Sequence, residues 1–305
     1  MIIASIDIGT NTIILLIAEV DKMNKTIVPL YNEQRIPRIG KGLKPGKSIP
    51  EEKIAELTGI LDDYNSVIKK FNCERTIITA TNALRIASNG DKIKNLLMDK
   101  FKFDINIIPG EEEAELTFKG AVFPFNDNSN SVVIDIGGGS TEIIYGSRNK
   151  IEFKKSYQVG VVTARENYLR HSPPAEAEIS NLQNELAKIF NDIKERDFTF
   201  NRAIAIAGTP TTLAAIKLNL HEYDENILEG HNLKSSEIKN LISDLLKLND
   251  AEIINKFKAV VKGREDVILS GAVILLFIMN LLKIDNILVS TKGIRYGAVL
   301  KEFFT

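Results

Sequence analysis

The chain has 305 residues, 44% hydrophobic and 26% charged, which suits a soluble globular protein of two domains or one large one. With 39 basic against 40 acidic residues the formal net charge is −1, which excludes a general nucleic-acid or anionic-membrane binder and leaves any polyanion to a local site. The single cysteine, Cys73, excludes an internal disulfide and fits a reducing compartment, and His171, His221 and His231 lack metal-ligand spacing.

The start, MIIASIDIG, has no basic leader region and reads as a strand, so a cytoplasmic location is expected. It is followed by TIILLIAEV (12–20) and TIVPLY (26–31), β-branched runs with short polar breaks that predict a β-meander. Residues 50–71 place Ile54, Leu57, Ile60, Leu61, Tyr64, Val67, Ile68 and Phe71 at helical spacing, with Pro50 at the helix start. A strand (RTIITA, 75–80), a helix ending near Phe101, a strand (INIIP) and a helix from about Gly110 come next. FPFNDNSN (123–130) is rich in turn-formers and reads as a linker. The second half repeats the plan, with strands between 131 and 157, long helices, and the strand RAIAIAG (202–208). The uncharged run 267–282 is shorter than the ~20 residues that span a bilayer and contains Ser270, Gly271 and Asn280, so it predicts a buried core helix. The pattern is α/β, with a mixed sheet in each half.

The two halves also share a motif. ASIDIGTNT (4–12) echoes VVIDIGGGST (132–141): an apolar strand, Asp, Ile, Gly, small or hydroxyl residues, then another strand. A third turn, AIAGTPTTLAA (205–215), runs from a strand through Gly208 and Thr209 into a helix. Gly137, Gly138 and Gly139 permit positive φ and close approach, so successive backbone N–H groups can form an anion nest, with Ser140 and Thr141 as hydroxyl donors. Asp135 beside them can hold a divalent cation or its water. The turn at Asp7, Gly9, Thr10 and Asn11 offers the same from the other half, and two such turns facing one another make a clamp for a phosphate chain. One Gly-rich turn is more often a tight hairpin, by roughly three to one, but two with the same Asp-Ile-Gly lead reverse those odds. GLKPGKS (42–48) is one residue short of a Walker A loop, and Pro37 spoils its lead-in as a buried strand, so it reads as a surface loop.

These segments, with TATNALRIAS (79–88), IIPGEEEAEL (107–116), the terminal Glu142 of VVIDIGGGSTE and VSTKGIRYG (289–297), resemble the exopolyphosphatase/guanosine pentaphosphate phosphohydrolase family over nearly the whole chain. That family lies in the superfamily of actin, heat-shock chaperones and sugar kinases. The resemblance implies two ribonuclease-H-like (actin-like ATPase) lobes, each a mixed sheet flanked by helices, with a cleft between them. The expected lobes are 1–124, with a last helix at about 293–305 packing back onto it, and 125–292. Glu113, before Ala in the Glu-rich segment, resembles the general base for water. Read alone, that segment is a helix N-terminus whose acids complement the dipole. Helical spacing nevertheless sets Glu113 beside the core face of Ala114, Phe118 and Ala121, and a phosphate chain nearby would raise its pKa toward neutrality. Glu111, Glu112 and Glu115 read as solvated; the family commonly has Arg where Glu115 stands.

By the same resemblance Arg85 is a phosphate ligand, Thr10 and Asn11 donate to another phosphate, and Asp135 with Glu142 handles Mg²⁺ or another divalent cation and water. Gly208 and Thr209 meet the nucleoside or distal part of the ligand, and Arg295 is either a phosphate contact or a helix-start residue. The implied reaction is release of terminal orthophosphate from inorganic polyphosphate. Guanosine pentaphosphate phosphohydrolysis, an ATP-dependent kinase and a non-catalytic nucleotide-binding scaffold are the alternatives. The kinase needs an acceptor-binding insertion, and the scaffold leaves Glu113 with Arg85 unexplained. No guanine-specific pocket can be named, and Lys41, Lys44 and Lys47 supply a local basic patch, which favours polyphosphate. Neither nucleic acid nor membrane is expected as a partner; a homodimer is open.

Overall fold

Long β-branched apolar runs build the first sheet. In the computed structural model, which describes residues 1–125 and 127–304, β1 (Ile2–Ile8), β2 (Ile13–Asp21) and β3 (Thr26–Arg35) form an antiparallel meander. β4 (Arg75–Ala80) runs parallel to β1, and β5 (Ile105–Ile107) parallel to β4, giving the order β3-β2-β1-β4-β5. Ile3, Ala4, Ile6, Leu15, Leu16 and Ile17 are all buried, so both faces of the central strands are covered, which is why these strands lack polar alternation. α1 (Glu51–Lys70) starts after Pro50 with Glu51 and Glu52 and ends with Lys69 and Lys70, charges that complement its dipole. Of the eight stripe positions read from the sequence it buries Leu57, Leu61, Tyr64 and Ile68, while Ile54, Ile60, Val67 and Phe71 are half-buried. α2 (Asn82–Ile86), α3 (Gly90–Phe101) and α4 (Gly110–Val122) complete the first run of helices.

The second sheet repeats the first. β6 (Ser131–Ile136), β7 (Thr141–Ser147) and β8 (Lys150–Tyr157) form the meander; β9 (Arg202–Ile206) lies parallel to β6. β10 (Asn232–Lys234) pairs antiparallel with β11 (Asn286–Ser290), which is parallel to β9, and the order is β10-β11-β9-β6-β7-β8. Apart from β10 this is the connectivity of the first sheet, so the repeated motif marks a repeated fold, and each half is a ribonuclease-H-like mixed sheet flanked by helices. Asp7 and Asp135 occupy the same position, one residue before the end of their strands. The helices here are α5 (Val161–Tyr168), α6 (Glu176–Ile189), α7 (Gly208–Lys217), α8 (Glu225–Leu228), α9 (Ser235–Leu245), α10 (Asp250–Phe257) and α11 (Ile268–Leu281). α11 is the expected core helix, buried from Ile268 through Leu275; among the described residues no helix is long and apolar enough to cross a membrane.

The chain divides into two compact units, Met1–Gly120 with the chain from Lys292 onward, and Ala121–Thr291. In the first, α12 (Ile294–Phe304) packs on β1 and α4: the Ser5 hydroxyl donates to the Arg295 carbonyl at 3.0 Å, and a Cβ on Gly297 would overlap the Leu116 carbonyl oxygen. In the second, Arg202 holds Phe125 and Asp127, with its guanidinium 3.8 Å from the Phe125 ring centroid and 2.7 Å from the Asp127 carboxylate. Asn126 of the expected linker and Thr305 of the expected last helix lie outside the described residues.

Candidate active site

α2 leaves the C-terminal end of β4 and α4 leaves that of β5; because the two strands are parallel neighbours, both helices start at the same end of the sheet. That brings Arg85 and Glu113 together. Arg85 Nη1 donates to Glu113 Oε2 at 2.9 Å and to the Ile108 carbonyl at 2.8 Å, and Nη2 reaches Asn82 Oδ1 at 3.5 Å. Glu113 is 7% exposed. Glu111 is exposed, Glu112 takes Lys301 Nζ at 2.6 Å, and Glu115 takes Lys119 at 2.9 Å, so this acidic run contains one buried carboxylate and three at the surface. Burial pushes the Glu113 carboxyl above its ordinary value; the Arg85 charge and hydrogen bond, and the Thr81 hydroxyl, offset only part of that. The group is a carboxylate with enhanced basicity, oriented by a guanidinium.

The β1–β2 turn adjoins this pair. Gly9 N donates to the Thr12 carbonyl at 2.9 Å and closes the turn. Thr10 Oγ1 lies 3.5 Å from Asn82 Nδ2, so Thr10, Asn82, Arg85 and Glu113 form one connected series within the first unit. Asn11 is 5% exposed, and both polar atoms of its side-chain amide are buried without a hydrogen-bond partner. An orphaned buried amide costs about 1–3 kcal/mol, recovered when a ligand supplies the missing partner. Asn82 was not singled out from the sequence; its place in TNALR, one helical turn before Arg85, was the available signal. Arg295 is placed differently: it is 6% exposed, and Nη1 donates to Asn32 Oδ1 at 2.8 Å.

In the second unit, Gly137 N donates to the Ser140 carbonyl at 2.9 Å, and the Gly137 and Gly138 carbonyls accept the Val161 and Val162 amides of the α5 first turn at 2.9 and 2.8 Å. None of Gly137, Gly138 and Gly139 uses positive φ. This corrects the left-handed-backbone expectation for the turn; the position where small size is required is the facing Gly160, whose Cβ would lie 2.5 Å from the Gly137 oxygen. Thr141 is also withdrawn as a ligand donor, since it is fully buried and its hydroxyl donates to the Val159 carbonyl at 2.6 Å. Ser140 stays at the turn, 2% exposed. Gly208 is covered by the Arg264 guanidinium, and the Thr209 side chain lies against Gly271 of α11. Arg264 had no signal beyond its charge.

Asp135 and Glu142 are directly opposed in the antiparallel register of β6 and β7, 7% and 1% exposed. Their side chains therefore share one face, where like charges repel. The Ser156 hydroxyl, the next position across the sheet, donates to Glu142 Oε1 at 2.6 Å and fixes that carboxylate. Two buried carboxylates side by side fit a divalent cation that completes its shell with water and phosphate oxygens, as Mg²⁺ does. Among the described residues there is no group of three or more acidic, His or Cys side chains that could hold a metal ion.

Comparisons with known proteins show which family the chain belongs to. A model described as the Ppx/GppA phosphatase family matches residues 16–304. The chain belongs to that family. It is 34% identical over 98% of its length to the bifunctional 3-dehydroquinate synthase/phosphatase of Fusobacterium nucleatum, of which it spans 46%. It is 29% identical to exopolyphosphatase 2 of Mycobacterium tuberculosis, over 98% of this chain and 97% of that one. The crystal structure of an exopolyphosphatase from Cytophaga hutchinsonii superimposes with a TM-score of 0.90 at 25% identity, covering 99% of this chain and 98% of that chain.

Proposed function

We propose that this member of the Ppx/GppA family is a phosphoanhydride hydrolase that releases terminal orthophosphate from inorganic polyphosphate. The observation that carries the reading is the Glu113–Arg85 pair: a buried carboxylate of raised pKa, held at 2.9 Å by a guanidinium, in a region whose Asn11 amide lacks partners. Thr10, the residue before Asn11, is linked through Asn82 to Arg85, so the unsatisfied amide lies in the turn that adjoins the pair.

Glu113 takes the proton of the attacking water as the water oxygen bonds to the terminal phosphorus. The bond from phosphorus to the bridging oxygen breaks, and the electron pair leaves with the shortened chain. Arg85, with N–H donors beyond those it uses now, stabilises charge on the phosphoryl oxygens, and the Asn11 amide and Thr10 hydroxyl orient them. In the second unit Asp135 and Glu142, the latter fixed by Ser156, would hold the cation, which supplies charge neutralisation when bound.

The deciding experiment measures orthophosphate release by the purified protein with Mg²⁺, from polyphosphate and from guanosine pentaphosphate at equal terminal-phosphate concentration. Faster release from polyphosphate is expected. Release mainly from the nucleotide would move the activity to the guanosine substrate, and release from neither would overturn the hydrolase reading.

A further inference from the structure

Between Glu33 and Glu51 the chain carries Arg35, Arg38, Lys41, Lys44 and Lys47, one cation every third residue, and no acid. In a protein of net charge −1 this is a local excess. Arg35 is neutralised by Glu33, and Arg38 lies where the segment meets the β1–β2 turn. Lys41, Lys44 and Lys47 are exposed, and among the described residues none has a carboxylate partner. By contrast Lys53 is paired with Glu56, Lys119 with Glu115, Lys155 with Asp192 and Lys301 with Glu112. An unpartnered lysine is not by itself the signal; the spacing and anchoring of this run are.

A run of solvated lysines is ordinarily a solubility device. This one is fastened at both ends to the proposed site. At its start Arg38 N donates to the Asn11 carbonyl at 3.1 Å and Gly40 N to the Thr10 carbonyl at 2.9 Å; a Cβ on Gly40 would overlap the Thr10 methyl. At its end Gly46 N donates to the Ile86 carbonyl and Ser88 N to the Lys47 carbonyl, both at 3.0 Å, one and three residues beyond Arg85. Ile49 and Asn89 exchange two hydrogen bonds of 2.9 Å. Gly42 and Gly46, at φ +71 and +77, turn the backbone between the anchors, where a side chain would be strained. The three free ammonium groups therefore stand on a path from the Thr10–Asn11 turn to the end of α2.

We propose that Lys41, Lys44 and Lys47 form a track for the phosphates that follow the one being cleaved, and so set a preference for long chains; this rests on the polyphosphate reading of the site. Ammonium groups are point charges without a directional fork, which suits a uniform, flexible polyanion. The test is the triple variant Lys41→Gln, Lys44→Gln, Lys47→Gln, with the triple Lys→Arg variant as the charge-preserving control, assayed on long-chain polyphosphate and on tripolyphosphate. Exposed charge contacts are each worth a factor of about two to three, so KM for the long chain should rise about tenfold. With a slope of about 0.7 per phosphate contact, the salt dependence of log KM should flatten by about two. Both kcat and the tripolyphosphate parameters should hold, and the arginine variant should match wild type. An unchanged long-chain KM, or an equal rise for tripolyphosphate, overturns the track. If wild type releases phosphate from neither substrate, the hydrolase reading fails on its own. Titration calorimetry of long-chain polyphosphate against wild type and the glutamine variant then decides the track: about tenfold weaker binding by the variant supports it, and equal binding overturns it.

Discussion

Replacing Arg85 by Gln keeps a polar side chain and removes the guanidinium that stands 2.9 Å from Glu113. An opposite charge at that range lowers a carboxyl pKa by about 1–3 units. Losing it removes that lowering, so the Glu113 carboxyl should rise further, since burial then acts unopposed by the guanidinium. Glu113 already lies above 4.5 because burial outweighs Arg85. The sign for stability follows: a carboxyl with raised folded pKa stabilises the fold fully below its unfolded pKa, and the contribution is lost as pH rises through the folded pKa. In Arg85→Gln that loss extends toward neutral pH. The assays are kcat/KM for orthophosphate release against pH, and thermal melting between about pH 4 and pH 8. We expect the acid limb to move up by one unit or more, and stability to decline more steeply with pH than in wild type. An acid limb that stays in place, with parallel melting curves, would refute a Glu113 tuned by Arg85.

Two further substitutions test other parts of the account. Glu142→Gln keeps an acceptor for Ser156 and relieves the opposition to Asp135, so without divalent cation it should be about 0.2–1 kcal/mol more stable than wild type and should lose most of the stabilisation that Mg²⁺ gives. Melting with and without Mg²⁺ reads both effects, and an undiminished Mg²⁺ shift would remove Glu142 from the metal site. Ala207, before α7, holds φ 77 and ψ −166, a conformation suited to glycine. Such strain costs about 1–3 kcal/mol, and glycine gives back about 0.5–1 in chain entropy. Ala207→Gly should therefore gain about 1 kcal/mol, read as a higher urea midpoint at unchanged slope, whereas a lower midpoint would contradict the strain.

The α1 stripe was legible by its helical period, and β1 and β2 as unbroken β-branched runs whose two faces are both buried. The Asp-Ile-Gly repeat announced a duplicated topology, which the two strand orders show. β10 was not legible, because three residues with one buried side chain, Leu233, carry no alternation. In the candidate site Glu113 stood out by its position beside the core face of α4. Its contact with Arg85 depends on β4 and β5 being parallel neighbours, a relation between segments that local pattern cannot carry. The glycines of residues 137–139 were read for left-handed backbone, whereas none of them has positive φ and the Gly137 and Gly138 carbonyls accept the first amides of α5. Thr141 looked like a ligand donor until the partner of its hydroxyl, Val159, was known.

The central claim is that Glu113 is the base. Glu113→Gln preserves size and hydrogen-bonding capacity, so it isolates proton transfer, which typically contributes about 10²–10⁴-fold. The measurement is kcat for orthophosphate release from polyphosphate by the variant, beside its affinity for the same substrate. A kcat lowered at least a hundredfold with affinity within a few-fold of wild type is the predicted result. A variant that keeps more than about a tenth of the wild-type kcat would contradict the assignment.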